Sequence, residues 1–467
     1  MAVILIATFF IFFAFLSWKK IDSALFVLAA LLPAYLIRFN VIIPLTLLEG
    51  MILILFASWF IQNRNWEFKQ WRLRIKNEKP LDNKPYPFRW PLIAWLFASL
   101  IAVGVAGWGI PSFGIWRAYF FEPLLLYIVV VNVCSSREKI IRLLWAFAFS
   151  AFCVSIFAGI QYITGHFIPN DFWAASSSRR ATSFFPYPNA VGLYLAPIIL
   201  LLAGVFGYIV AQAKVLANYR WQLAGLGIVI ILSLGAIVAA RSEGALFGTA
   251  AAVLIFGIFA PKKIRVVSVA AIIIGAVVIF SFTPLRTYVH DRLSLENFSG
   301  QVRRVQWHET WKMLKDGRLI SGAGLNNYQA SVKPFHQEGL FVKNNDPDFQ
   351  RKVMFNAEYR KKVWQPLEIY LYPHNIILNF WSEVGLFGLI TFFWIIATFF
   401  YYGITSYRSV KKNRDPFQYI ILGLMCALLV SLIHGIVDVP YFKNDLSAFF
   451  WIEMGLMSVI VYKQNHD

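Results

Sequence analysis

Arg241 and His374 are the side chains of this 467-residue sequence whose settings suit gripping an anion and accepting a proton. Arginine presents a planar fork that takes two phosphate or carboxylate oxygens at once and needs no metal to do so. Arg241 follows Ala-Ile-Val-Ala-Ala and precedes Ser-Glu-Gly-Ala-Leu-Phe, which places it at or inside a membrane boundary. An unpaired arginine costs on the order of 2.5–3.5 kcal/mol at mid-bilayer and less near an interface. Neighbouring Glu243 or an anionic ligand could offset that cost, and the ligand is the favoured account. Arg117 and Glu122 raise the same question, and there mutual pairing is the simpler answer. His374 stands in Tyr372-Pro373-His374-Asn375. Pro373 suits a helix start, which predicts His374 in the first turn, where the helix dipole favours neutral imidazole. Neutral imidazole accepts protons near pH 7. A histidine that only hydrogen-bonds at the interface accounts for the spacing equally well.

The run from Gln301 to Leu314 places Trp307, Trp311 and Leu314 at i, i+4 and i+7, one apolar face of a helix. Arg303 and Arg304 precede Trp307 by four and three residues, so either could share its side. Core packing or an interfacial belt explains the tryptophans better than sugar stacking. The glycines of Ser321–Asn327 fit a plain turn better than a phosphate cradle. Asp346-Pro347-Asp348 could be read as a metal site, but turn chemistry accounts for both acids in their polar run, and no metal or other cofactor is expected.

These residues must be held by a membrane protein. The sequence is 59% apolar and 14% charged, with a mean hydropathy of +0.61, against roughly 45–50% and 25% in soluble domains. Apolar runs near 20 residues recur along it, matching the ~30 Å hydrocarbon core. Candidate spans cover 2–17, 22–37, 42–62, 92–108, 115–133, 140–163, 188–211, 221–239, 244–260, 266–282, 374–403, 417–437 and 446–462. The expected fold is all-α and polytopic, with about 12–13 transmembrane helices, one early helix being short enough to be re-entrant. The formal charge of +19 could suggest nucleic acid, yet most of it lies in short loops, where membrane orientation explains it; no nucleic-acid partner is expected. Cys134, Cys153 and Cys426 have no paired spacing and predict neither disulfide nor metal. Met1 to Trp18 has no basic n-region or cleavage site and reads as a retained helix.

Charge gives the orientation. Lys19-Lys20, the stretch from Arg64 to Arg89, Arg137/Lys139/Arg142, Lys214/Arg220, Lys262/Lys263/Arg265 and Arg408/Lys411/Lys412/Arg414 occupy alternate loops, all on one side and therefore cytoplasmic. Arg38 and Lys443 sit singly in outer loops, where one charge means little. Arg179 and Arg180 lie in the outer loop 164–187. The chain thus divides into helices over 1–282, an outer loop over 283–373 and closing helices over 374–467. That loop carries 14 Lys or Arg against 9 Asp or Glu. At 91 residues it is too long for a connector, and long ordered loops usually carry function.

An ordered series of motifs now becomes visible: Arg180-Ala-Thr-Ser-Phe-Phe-Pro-Tyr-Pro188-Asn189; Arg241-Ser-Glu-Gly-Ala; Gly300-Gln-Val-Arg303 with Trp307; Gly322-Ala-Gly324-Leu-Asn-Asn-Tyr328; and His374-Asn375 through Glu383-Val-Gly-Leu-Phe-Gly. From about residue 179 to its end, the sequence resembles the O-antigen ligase and O-antigen polymerase superfamily of bacterial envelope enzymes. That family is similar in architecture to the lipid-linked-sugar transferases called GT-C. The resemblance implies a glycan donor linked to undecaprenyl diphosphate, a lipid or glycan acceptor, and inverting transfer without a metal. It further implies a setting among the lipids of the bacterial inner membrane, with the active site on the outer, periplasmic face. By motif it assigns catalysis to Arg241, Arg303 and His374, with Arg180, Arg304, Asn375 and Trp307 as substrate contacts. Where the family often has Ser-Arg-Gly, this sequence has Ala240-Arg241-Ser242. A transporter of a lipid-linked oligosaccharide is the principal alternative. It should show polar groups deep in several spans and often a repeated half, and no internal repeat is present.

Overall fold

The computed structural model describes residues 2–40, 44–77, 87–212, 219–260, 262–344 and 346–464. Lys214 and part of the basic stretch between Arg64 and Arg89 lie outside them. The first twelve helices are α1 (Ala2–Lys19), α2 (Ile21–Ala30), α3 (Leu47–Asn77), α4 (Arg89–Val105), α5 (Ile110–Trp116), α6 (Glu122–Val133), α7 (Arg137–Thr164), α8 (Asp171–Ala174), α9 (Pro188–Gln212), α10 (Arg220–Ala239), α11 (Glu243–Phe259) and α12 (Lys262–Ser281). The segment 283–373 folds as α13 (Thr283–Leu293), α14 (Phe298–Met313), α15 (Tyr328–Val332), α16 (Phe349–Phe355) and α17 (Ala357–Val363). The chain closes with α18 (Ile376–Lys412), α19 (Gln418–Gly435) and α20 (Asn444–Gln464). Strands are confined, among the described residues, to two short hairpins, β1 (Arg38–Asn40) with β2 (Pro44–Thr46) and β3 (Gly339–Phe341) with β4 (Trp364–Pro366).

The protein is an all-α polytopic membrane protein. Among the described residues eight helices are long and apolar enough to cross a membrane, and five apolar helices are shorter. Every apolar segment anticipated from the sequence holds one of them. The early helix expected to be short is α2. Its 10 residues rise only about 15 Å, because Pro33 turns the chain into a 3-10 helix over Leu32–Leu36.

Segments assigned by charge to one side meet at one end of the helix array. Arg137 pairs with Asp415 at 2.7 Å, Lys139 with Asp22 at 3.1 Å, and Lys411 reaches the Phe259 carbonyl at 3.4 Å. Arg117, by contrast, pairs as expected with Glu122 (3.1 Å) and also with Glu49 (3.2 Å).

Glycines set the close packing that brings the other end together. α19 runs along α9 with Gly204 and Gly423 in backbone contact; a Cβ on Gly204 would lie 2.7 Å from the Tyr419 carbonyl oxygen. On α11, Gly244 and Gly248 face α19 one turn apart, the small-residue spacing that lets membrane helices approach. A Cβ at Gly244 would meet His434 Nε2 at 2.9 Å, and one at Gly248 would meet Val430 Cγ2 at 3.1 Å. The start of α11 is therefore fixed over the end of α19. The glycine turn at 321–327 is a clamp. Gly322 (φ 67°) lies against the Trp381 and Ser382 carbonyls, and Ala323 N donates to Ser382 O at 2.6 Å. It seats the 283–373 segment on α18 at the Gly385 kink.

Candidate active site

The junction between α10 and α11 is built around Arg241. Arg241 N donates to Val238 O (2.9 Å) and Ser242 N to Ile237 O (3.3 Å), the bond pattern of a helix closed by a left-handed residue. That residue is usually glycine; here it is Arg241, with φ 49°. A side chain in this region costs about 1–2 kcal/mol, and such strain gathers at functional sites. The side chain is exposed and has no carboxylate partner among the described residues. Glu243, the candidate partner, instead pairs with Arg292 at 2.9 Å.

Arg180 lies across this junction. Its Nε donates to Ala240 O (2.9 Å), and its second terminal nitrogen to Asn189 Oδ1 (2.9 Å) and Arg241 O (3.3 Å). It thereby satisfies carbonyls that the end of α10 leaves open. Asn189 passes the connection on to Asp438 Oδ2 at 3.5 Å. The Arg180 fork is thus occupied by the fold.

His374 also has a left-handed backbone, φ 46°. It stands one residue ahead of the N-cap, Asn375, rather than in the first turn of the helix. Asn375 Oδ1 accepts from Leu378 N (3.0 Å), while its amide nitrogen donates to Ile436 O (2.9 Å). Both ends of the Asn375 amide are used in joining α18 to the α19–α20 loop. His374 Nδ1 lies 3.0 Å from Gln306 Oε1. With Gln306 Oε1 facing it, the contact suits the tautomer that carries its proton on Nδ1 and leaves Nε2 as an acceptor. Tyr370 and Tyr372 flank the ring at 5.2 and 5.3 Å. Burial holds His374 below its ordinary value; the Asp438 carboxylate opposes this and the Arg303 guanidinium adds to it.

α14 supplies Arg303 and, one turn later, Gln306. Burial depresses Arg303 too, against the carboxylates of Asp438 and Glu243. Arg303 Nε and Gln306 Nε2 are both buried without a hydrogen-bond partner. The field at Arg180, depressed by burial, contains Glu243, Arg241 and Arg303. Arg180, Arg241, Arg303, His374 and Asp438 therefore form one electrostatic cluster, drawn from five parts of the chain. Arg304 does not join it. It is exposed and lines an open groove of about 860 Å³ with Trp307, His308, Trp311, Phe341 and Lys343.

Residues 228–393 match the family model described as O-Antigen ligase. This stretch is similar to an O-antigen ligase domain. The matched stretch is a little over a third of the sequence, and it supports the O-antigen ligase/polymerase superfamily. No curated protein matches the chain. The matched stretch contains Arg241, Arg303 and His374, while Arg180, Asn189 and Asp438 lie outside it. The family implies glycosyl transfer of the ligase/polymerase type, with a lipid-linked glycan donor and an acceptor at a membrane.

The sequence left Asp438, Gln306 and His434 unnoticed. Asp438 and His434 stand four residues apart at the end of an apolar span, both buried, and ionisable residues so placed point to function. Gln306 follows Arg303 by three residues, one helical face. The acids of 346–348 do what turn chemistry predicts: Asp346 Oδ1 accepts from Asp348 N at 3.0 Å, and Oδ2 pairs with Lys352 at 2.8 Å. Elsewhere, His290, Asp291 and Glu296 bring ligand atoms within 4.8 Å of one another.

Proposed function

We propose that this protein transfers a glycan from undecaprenyl diphosphate to an acceptor hydroxyl at the periplasmic face of the bacterial inner membrane. The observation that carries this reading is a charge cluster in which Arg241 and Arg303, neither with an ion-pair partner among the described residues, share the field of Arg180, and Arg303 lies in the field of His374. The bond between the anomeric carbon and the diphosphate oxygen breaks, and the acceptor oxygen forms the new glycosidic bond from the opposite face, inverting the centre. The acceptor's proton passes to His374 Nε2. The electron pair of the broken bond leaves with the diphosphate, whose charge Arg241 and Arg303 neutralise through forked hydrogen bonds. Asp438 stabilises the imidazolium that forms, and Gln306 holds the ring's orientation. Arg180 keeps Arg241 in place.

The test is transfer by purified protein in lipid nanodiscs, from a defined undecaprenyl-diphosphate glycan, with EDTA present. The expected result is turnover that survives the chelator and yields the inverted anomer. Turnover lost to EDTA and restored by Mg²⁺ would return attention to acidic residues. No transfer to any lipid or glycan acceptor would favour a transporter of the same lipid-linked glycan.

A further inference from the structure

The loop after α19 carries a second charged side chain, Lys443, which the mechanism above does not use. Its Nζ is buried and has no hydrogen-bond partner. It sits 4.0 Å from the centre of the Tyr187 ring. Asp445 Oδ1, two residues on, is likewise buried and unpartnered, yet no ion pair joins the two. Relaxation of the backbone is blocked. Tyr441 is buried, its hydroxyl donates to Tyr119 O at 2.6 Å and accepts from Trp451 Nε1 at 3.0 Å, and Lys443 N donates to Tyr441 O at 2.7 Å.

An ammonium so held is costly unless an anion meets it. The Tyr187 ring face offsets only part of that cost. Burial pulls the Lys443 ammonium down to about 8, against the Asp445 carboxylate, which holds it up. The surroundings show where the anion would be. The Tyr187 hydroxyl lies 3.2 Å from that of Tyr372, whose ring packs on His374. Tyr187 also precedes by two residues the Asn189 that bonds both Arg180 and Asp438. Lys443 is therefore linked to the histidine through Tyr187 and Tyr372.

We propose that Lys443 binds a phosphate group of the substrate, as a cation separate from Arg241 and Arg303. A compact ammonium with three rotatable donors suits tetrahedral phosphate oxygens, and the paired tyrosine hydroxyls beside it can complete the contact. The phosphate is either part of the donor's diphosphate or a substituent on the acceptor. This rests on the transfer reading.

The experiment uses full-length protein in nanodiscs and compares wild type with Lys443→Met, Lys443→Gln and Lys443→Arg. Binding of a short-chain polyprenyl diphosphate is measured directly, and by competition with inorganic pyrophosphate. KM values are then taken for donor, for a phosphorylated acceptor and for its dephosphorylated analogue. Loss of one charge-assisted contact should weaken binding of the phosphate-bearing partner about 10- to 100-fold, with Lys443→Arg nearer wild type. Weakened polyprenyl diphosphate binding assigns the donor. A raised KM for the phosphorylated acceptor alone assigns the acceptor. Unchanged affinities in Met and Gln variants, with only a lowered melting temperature, would make Lys443 a structural neighbour of Asp445 and overturn the proposal. Because diphosphate binding is read without turnover, a wild type that transfers nothing would sink the transfer reading and still leave Lys443 decided.

Discussion

Arg303 and Arg304 are adjacent in sequence, identical in chemistry and on the same helix, yet they occupy opposite situations. Successive residues of an α-helix point about 100° apart, and here that angle separates a half-buried cluster from open solvent. Arg303 lies in the field of Asp438, Glu243 and Tyr370, with its Nε unpartnered. Arg304 is exposed along a groove with aromatic and basic neighbours. An exposed guanidinium is well hydrated and costs nothing to keep. A buried one without a partner is costly, so on this helix burial rather than charge separates the two arginines.

The largest effect is expected at His374, which the Arg303 face holds through Gln306. His374→Ala should lower turnover by about 10²–10⁴ while donor binding stays close to wild type. The wild-type rate should fall with decreasing pH as Nε2 becomes protonated. Burial and Arg303 both disfavour the charged ring, so this acid limb belongs below the ordinary histidine value of 6.5, and it should vanish in the alanine variant. Single-turnover transfer across pH, with donor binding measured separately, checks both statements. Transfer unchanged in His374→Ala would remove the base.

Arg303 comes next. Arg303→Lys keeps the charge and loses the fork, and the loss of one such contact costs about 2.7–4 kcal/mol in the transition state, or roughly 10²–10³ in rate. Arg303→Met should in addition move the acid limb to higher pH, since it removes a cation that opposes protonation of His374. A lysine variant at wild-type rate, with an unmoved limb in the methionine variant, would erase the distinction between the two faces of α14.

The helices were legible in the sequence because twenty apolar residues in a row report burial in lipid without any knowledge of neighbours. The turn at Asp346 was legible for a similar reason, since the partners of that carboxylate lie within a few residues. Arg241 was recognisable as an anomaly, but not as the left-handed residue closing α10, a place where glycine is the usual signal. Pro373 signals a helix boundary in the sequence, but Asn375 sets it by capping, which leaves His374 outside the first turn. Asp438 was invisible because its meaning comes from Asn189 and Arg180, some 250 residues away in the chain. Likewise nothing in Arg303-Arg304 reveals which of them faces Asp438.

The smallest effect should come from the other side of α14. Arg304→Ala removes a full charge from the groove that Trp307 and Trp311 also line, yet it breaks no ion pair among the described residues and buries no orphaned donor. Surface substitutions of this kind usually stay within about 0.5 kcal/mol in stability, and a rim charge acts mainly on association and its salt dependence. Turnover at saturating donor should therefore remain within about threefold of wild type, corresponding to less than ~0.7 kcal/mol. The acid limb should not move, because Arg304 is absent from the field at His374. The decisive comparison is Arg303→Met against Arg304→Ala in the same assay, over the same pH range and at two salt concentrations. A loss at Arg304 as large as that at Arg303, insensitive to salt, would mean that the groove and the histidine cluster act as one site.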